Sequence, residues 1–399
     1  MWRRLALLAV GSLVLGIGLG QLRSVRRPTP VFVTPRAPSP PSPPPLKKSE
    51  RPRWRRLWTR SLRGLRGVSL APDGNVACLR QDDTVTLVKE GDGAGLWTSP
   101  PLPLARELVA VRGGRVLAYA RRNPALPRVW LLQGPAGAPN AFSTDGPLWS
   151  VAATHDGETA FFGTGRGTVQ AVSLTTPRPP RRWELGALPE SLAASTDGSD
   201  AVVGTWLLSG IRRLGGWAYT GSDPTRWQEV FLSADGATTV VLSGQGPRHR
   251  RRELRLGAYD SESGLRLWEK PLLGTDPLVA VSADGQRIAL SYGLETSHGT
   301  THSQEHRLQI LARNGNPLCQ EKGGRFLTPR LAAISALGER ITILDGDRAL
   351  LVLDSQGRTR WRLAFEQAKP IRETLSTADG TYLLLRYHDD TLTLYQATD

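Results

Sequence analysis

Two short stretches hold the residue types whose spacing could do chemistry. Half of the six histidines fall within nine residues, at His298, His302 and His306, with Glu305 beside the last. Imidazoles at i, i+4 and i+8 would share one face of a helical turn or of a strand, which suits a surface zinc or copper site. The second stretch is Arg248-His-Arg-Arg-Arg252, where Arg248, Arg250, Arg251 and Arg252 offer a dense cationic surface to a partner. Catalytic motifs are missing: the chain has no HExxH, no GxSxG elbow, no P-loop lysine motif and no EF-hand loop. The expectation is a protein that binds rather than reacts, with no catalytic residue and no cofactor.

The elements that must position those stretches follow from a repeat, complete once between Glu229 and Leu272. An apolar run stops at Asp235-Gly236, a dipeptide that accepts the positive φ of a tight turn, and a second apolar run follows. After a basic connection come an alternating strand, a Ser/Glu/Gly turn and a last strand at Leu265 to Trp268. The turn recurs at Asp73, Gly113, Asp156, Asp197, Asp235, Asp284, Gly338 and Asp379, at spacings of 40, 43, 41, 38, 49, 54 and 41 residues. Four strands per forty-odd residues is the period of a β-propeller blade.

A second marker gives the same count. A large residue precedes each turn by 14 to 19 positions: Trp58, Trp97, Phe142, Trp183, Trp217, Trp268, Cys319 and Trp361. An indole there would wedge between neighbouring sheets, and Cys319 would be a small apolar stand-in. Trp58 comes before the first turn, whereas nothing follows the last one but two strands. One strand is therefore surplus at the start and one is missing at the end. The expected fold is an all-β, eight-bladed propeller over residues 53–399, with seven blades as the alternative. Residues 53–59 would complete the C-terminal blade and so remove an exposed sheet edge. Both long spacings arise in connections between second and third strands, the ones that carry the arginines and the histidines. They would emerge side by side as a binding rim.

Charge separates the body from its leader. Residues 1–66 hold thirteen Arg and two Lys against Glu50, so nearly all of the net +15 sits there, while the rest has 36 basic and 35 acidic residues. A near-neutral body argues against nucleic acid as a partner. Residues 1–22 open with Arg3 and Arg4 and continue with an apolar run, Leu5 to Leu22. Eighteen helical residues reach about 27 Å, close to a bilayer core. No A-x-A site is present, which favours an uncleaved signal anchor over a removed signal peptide. Residues 23–52 are a basic, Pro-rich linker, an extended spacer. Cys78 and Cys319 have no metal-ligand spacing and read as buried thiols.

The Ser-Ala-Asp-Gly turns resemble those of bacterial WD40-like repeats, and Asp260-Ser-Glu-Ser-Gly-Leu-Arg-Leu-Trp is similar to the outer strand of PQQ-like repeats, the pyrroloquinoline-quinone-like propellers. The resemblance implies a propeller, and through envelope propellers a single-pass inner-membrane protein with an extracytoplasmic body. It would be a non-enzymatic scaffold for protein binding or assembly in the bacterial envelope. The resemblance also raises two alternatives, a quinone-cofactor dehydrogenase and a sensor of an extracellular polymer.

Overall fold

A computed structural model describes residues 53–398, apart from 124–127, 135–138, 207–209, 217, 221–225, 246–251, 273, 299–300, 322–328 and 366–368. The anchor and the Pro-rich linker lie outside the described residues. Among the described residues, thirty-two strands, β1 to β32 in chain order, form eight four-stranded antiparallel sheets. Seven sheets are built from consecutive strands, spanning 65–98, 107–143, 148–184, 188–220, 226–272, 275–321 and 329–364. We call them sheets one to seven.

Sheet eight joins the two ends of the chain. It consists of β30 (Ile371–Ser376), β31 (Tyr382–Tyr387), β32 (Thr391–Thr398) and, as its outer strand, β1 (Arg53–Ser61). β1 pairs with β32 from Arg53 opposite Thr398 to Ser61 opposite Thr391.

Among the described residues, eight clusters of buried side chains hold the sheets together, and each lies in a seam between two successive sheets. Leu79, Leu87 and Trp97 of sheet one pack with Val116, Ala118 and Leu132 of sheet two. At the opposite end of the chain, Val76, Cys78 and Val88 of sheet one pack with Leu384, Leu392 and Leu394 of sheet eight. The series of seams therefore closes on itself. The residues that do this are β-branched and aliphatic, alternating along short strands, so each sheet is apolar on both faces and can be covered only by its neighbours.

β1 seals two seams at once. Side chains alternate along a strand, so Trp54 and Trp58 should share a face. A bulge between Arg56 and Trp58 leaves Leu57 unpaired and turns the two indoles to opposite faces. Trp54 packs on Ala333, Leu344 and Leu350 of sheet seven, and its Nε1 donates to Thr342 Oγ1 at 3.1 Å. Trp58 packs on Leu65, Val76 and Val88 of sheet one, and its Nε1 donates to the Glu90 carbonyl at 2.8 Å.

The same docking recurs at Trp268 in sheet five, whose Nε1 donates to the Arg313 carbonyl of sheet six at 2.7 Å. Trp58 and Trp268 each lie over a glycine in the receiving turn. A Cβ on Gly93 would come within 2.9 Å of Trp58, and one on Gly315 within 2.7 Å of Trp268; both glycines have positive φ, +70° and +80°. Trp97 and Cys319 are buried in their seams, while Phe142, Trp183 and Trp361 are half-buried packing partners. Trp217 lies outside the described residues. Cys78 and Cys319 form no disulfide, and they are buried in different seams. Burial pushes the Cys78 thiol up to about 12, so it stays protonated and inert.

Candidate functional site

Antiparallel order gives the ring two unlike faces. Turns from the first to the second strand of every sheet share one face with the turns from third to fourth. Connections from second to third strand open on the other face, together with the links between sheets. Each face presents one candidate site.

On the first face the turns form a repeated lock. A Ser or Thr hydroxyl donates to the Asp two residues on, at 2.5 to 2.9 Å, in Thr154/Asp156, Ser195/Asp197, Ser233/Asp235, Ser282/Asp284 and Thr377/Asp379. The same hydroxyls accept from the backbone N–H five residues on, at 2.9 to 3.1 Å. Neighbouring turns then bond to each other: Asp156 N–H to the Thr196 carbonyl, Thr196 N–H to that of Ala234, and Asp235 N–H to that of Ala283. The Ser199 N–H and hydroxyl, with Ser195, hold the Asp197 carboxyl below the usual carboxylate range. Burial raises that of Asp379, but bonds from Thr377 and Thr381 and the charge of His155 outweigh it, and the net direction is down.

Inside this ring of turns lies the mouth of the central channel, a cavity of about 250 Å³. Leu70, Val109, Ala153, Ala194, Leu232 and Val281 form an aliphatic wall, with Ser69, Thr154, Thr196, Ser376 and Thr377 at its polar edge. Among the described residues, His155 is the one titratable side chain lining it. The turns at Pro72, Ala234 and Ala378 place a small or cyclic apolar residue where His155 stands. Sequence reasoning passed over His155, yet the signal was there: it breaks the Ser-Ala-Asp-Gly pattern at its second position.

On the opposite face two hairpins stand out from neighbouring sheets. In sheet six, β23 (Arg287–His298) and β24 (Thr301–Ala312) pair over twelve positions, from Arg287 opposite Ala312 to His298 opposite Thr301. In sheet five, β19 (Thr238–Gln245) and β20 (Arg252–Asp260) are also long, with a register shift after Ser243. Equivalent strands in sheet seven have five residues each. The ladder explains the longest turn spacing: the extra residues continue the sheet outward.

The register also revises the expected histidine arrangement. His298 ends β23 while His302 and His306 lie on β24, because the chain reverses between residues 298 and 301. His302 stands opposite Ser297 and His306 opposite Gly293, four residues apart along one strand, which is about 13 Å. His298, one pair further out, has the opposite parity to His302. The three positions are thus spread over two strands rather than stacked on one face. The side chains of His298 and His302 lie outside the described residues, and His306 is half-buried. Among the described residues no group of three metal-ligating side chains occurs. Of the basic rim, Arg248, Arg250 and Arg251 lie outside the described residues, and Arg252 begins β20. Among the described residues no helix is long and apolar enough to cross a membrane.

The hydroxyl-locked turns and the closed series of seams decide the architecture. The chain is a β-propeller. No family model matches the chain, and no curated protein matches it in sequence. Solved structures match it in shape. The structure titled the Dos1 propeller superposes with a TM-score of 0.58 at 10% identity, covering 86% of this chain and 95% of that one. Hydrazine synthase from Kuenenia stuttgartiensis gives a TM-score of 0.51 at 14% identity, covering 84% and 96%. At such identities the likeness extends to the propeller fold alone.

Proposed function

We infer that this propeller is an eight-bladed, non-enzymatic scaffold, held to a bacterial inner membrane by its N-terminal segment, with an extracytoplasmic body that binds protein partners for assembly in the envelope. The observation that supports this reading best is the hairpin pair. Sheets five and six both extend their second and third strands on the same face, and the ladder of β23 and β24 runs about twice the usual length. A repeat ring has no stability reason to lengthen two adjacent hairpins. Such a projection offers backbone edges and side chains to another chain. The basic sequence Arg248 to Arg252 joins one of the two hairpins, which favours a partner with an acidic surface.

Crosslinking in intact membranes, followed by mass spectrometry, tests the reading. The full chain should yield a discrete crosslinked protein. A variant with Arg248, Arg250, Arg251 and Arg252 changed to serine, or one with residues 296–303 replaced by a two-residue turn, should lose it while keeping the fold. Crosslinks that persist unchanged in both variants would move the site elsewhere. A quinone absorbance that appears on adding calcium would replace the scaffold with the dehydrogenase reading.

A further inference from the structure

The outer edges of the sheets are not equally charged. Outer strands of sheets one to six carry Arg181, Arg182, Arg266 and Lys270 against Glu184, Glu269 and Glu321. The outer strands of sheets seven and eight are β29 (Thr359–Ala364) and β1, and they carry Arg360, Arg362, Arg53, Arg55, Arg56 and Arg60 with no acidic residue. Only the fold makes these two strands neighbours, because β1 is three hundred residues from β29 in the chain and joins it across one seam. Trp54 of β1 and Trp361 of β29 pack in the same cluster.

The arginines on this edge are exposed. Arg360, with Arg358 in the turn before it, is held by Asp354 at 2.7 and 2.8 Å. Arg53, Arg55, Arg56, Arg60 and Arg362 make no ion pair among the described residues. Arg55 reaches only the Gln396 amide oxygen, at 3.0 Å. The strand under β1 offers them no carboxylate, since β32 reads Thr-Leu-Thr-Leu-Tyr-Gln-Ala-Thr. The two indoles are buried in the seams on either side of β1, and the arginines beside them are left at the solvent-facing edge of the sheet.

We propose that this arginine edge of sheets seven and eight docks on an anionic lipid bilayer. Charge complementarity supports lipid headgroups as the occupant, and so does the path of the chain. β1 is the first strand after a 52-residue leader that holds nine further basic residues and begins with an apolar run. Both β1 and β29 start on the face bearing the Asp-Gly turns, so the edge lies where the leader enters the ring. An apolar segment with a basic surface behind it forms a two-signal attachment, in which the second contact sets the body's orientation at the membrane. The proposal rests on the membrane-anchored reading for its biological setting, but the surface itself can be tested without the leader.

All eight sheets and all eight seams lie within residues 53–398, so residues 46–399 should fold without the segment before them. This fragment is sedimented with vesicles of phosphatidylcholine alone or with about 30% phosphatidylglycerol, at low and high salt. Binding is expected only to the anionic vesicles and should be lost at high salt. Each neutralised arginine should weaken partitioning about fivefold, so Arg55→Gln/Arg56→Gln should weaken it about 25-fold. Arg178→Gln/Arg181→Gln, on sheet three, should leave it unchanged. Equal binding to neutral vesicles, no effect of the first pair, or an equal effect of the second overturns the proposal. So does binding to nucleic acid at physiological salt in place of vesicles. Alkaline extraction of membranes carrying the full chain tests the anchor separately: the chain should stay in the pellet whether or not the arginine edge binds lipid.

Discussion

Removal of the two indoles of β1 should open the ring from one strand. Trp54 is 7% exposed and Trp58 is 6%, each with its indole N–H satisfied across a seam. Truncating a buried tryptophan to alanine costs about 3 to 5 kcal/mol, of which the orphaned Thr342 or Glu90 acceptor contributes about 1. The bulge places the two rings on opposite faces and in different seams, so the losses should add to about 6 to 10 kcal/mol. That is most of the roughly 5 to 15 kcal/mol that holds a folded domain. Urea denaturation followed by tryptophan fluorescence and circular dichroism should show each single variant folded with a lower midpoint, and Trp54→Ala/Trp58→Ala largely unfolded in water. A loss below about 1 kcal/mol for Trp58→Ala, at unchanged denaturant slope, would refute the claim that β1 closes the ring.

Gly315→Ala should destabilise by more than the roughly 1 to 2 kcal/mol of a positive-φ alanine, because the new methyl meets the Trp268 ring; thermal melting measures it, and Trp268→Ala in the same chain should relieve part of the cost. Arg386 is nearly fully buried and links sheet eight to sheet one, with Nη2 donating to the Leu65 carbonyl at 2.7 Å and lying 3.4 Å from Asp390, so Arg386→Met should cost about 3 to 5 kcal/mol in urea melts. Stability should fall as pH drops from about 4 towards 2. The carboxyls of Asp197 and Asp379 are held below their unfolded range, and bonds from Thr391 and Lys369 bring Asp389 down to about 2. Their stabilisation is complete above the unfolded value and is lost through the folded ones. Asp197→Asn should flatten that acid limb in melts recorded from pH 6 to 2, and an unchanged limb would mean that other carboxylates govern it.

The repeat was legible because a four-stranded sheet punctuates the chain at short range. Asp-Gly turns need positive φ, strand interiors alternate or run apolar, and each signal lies within about ten residues of the next. Asp82-Asp83 and Asp389-Asp390 are local signals of the same kind, with positive φ at Asp83 and Asp390, 61° and 59°. The histidine site was less legible. A period of four has the same meaning on a helix and along one strand, but a reversal between the first and second imidazole changes the partner set, and no Gly-Asn or Asp-Gly pair marked it.

By itself the sequence determined an all-β repeat, the strand order within each sheet, the spare strand at the start and the absence of known catalytic motifs, since each of these is written in neighbouring residues. Tertiary structure alone decided which residues distant in the chain meet: Trp54 with Thr342, Arg386 with Leu65, His155 with the channel mouth, and the arginines of β1 with those of β29. Closing a ring brings the last sheet to the first strand, and the backbone bulge that turns two tryptophans apart costs one unpaired residue that no local pattern announces.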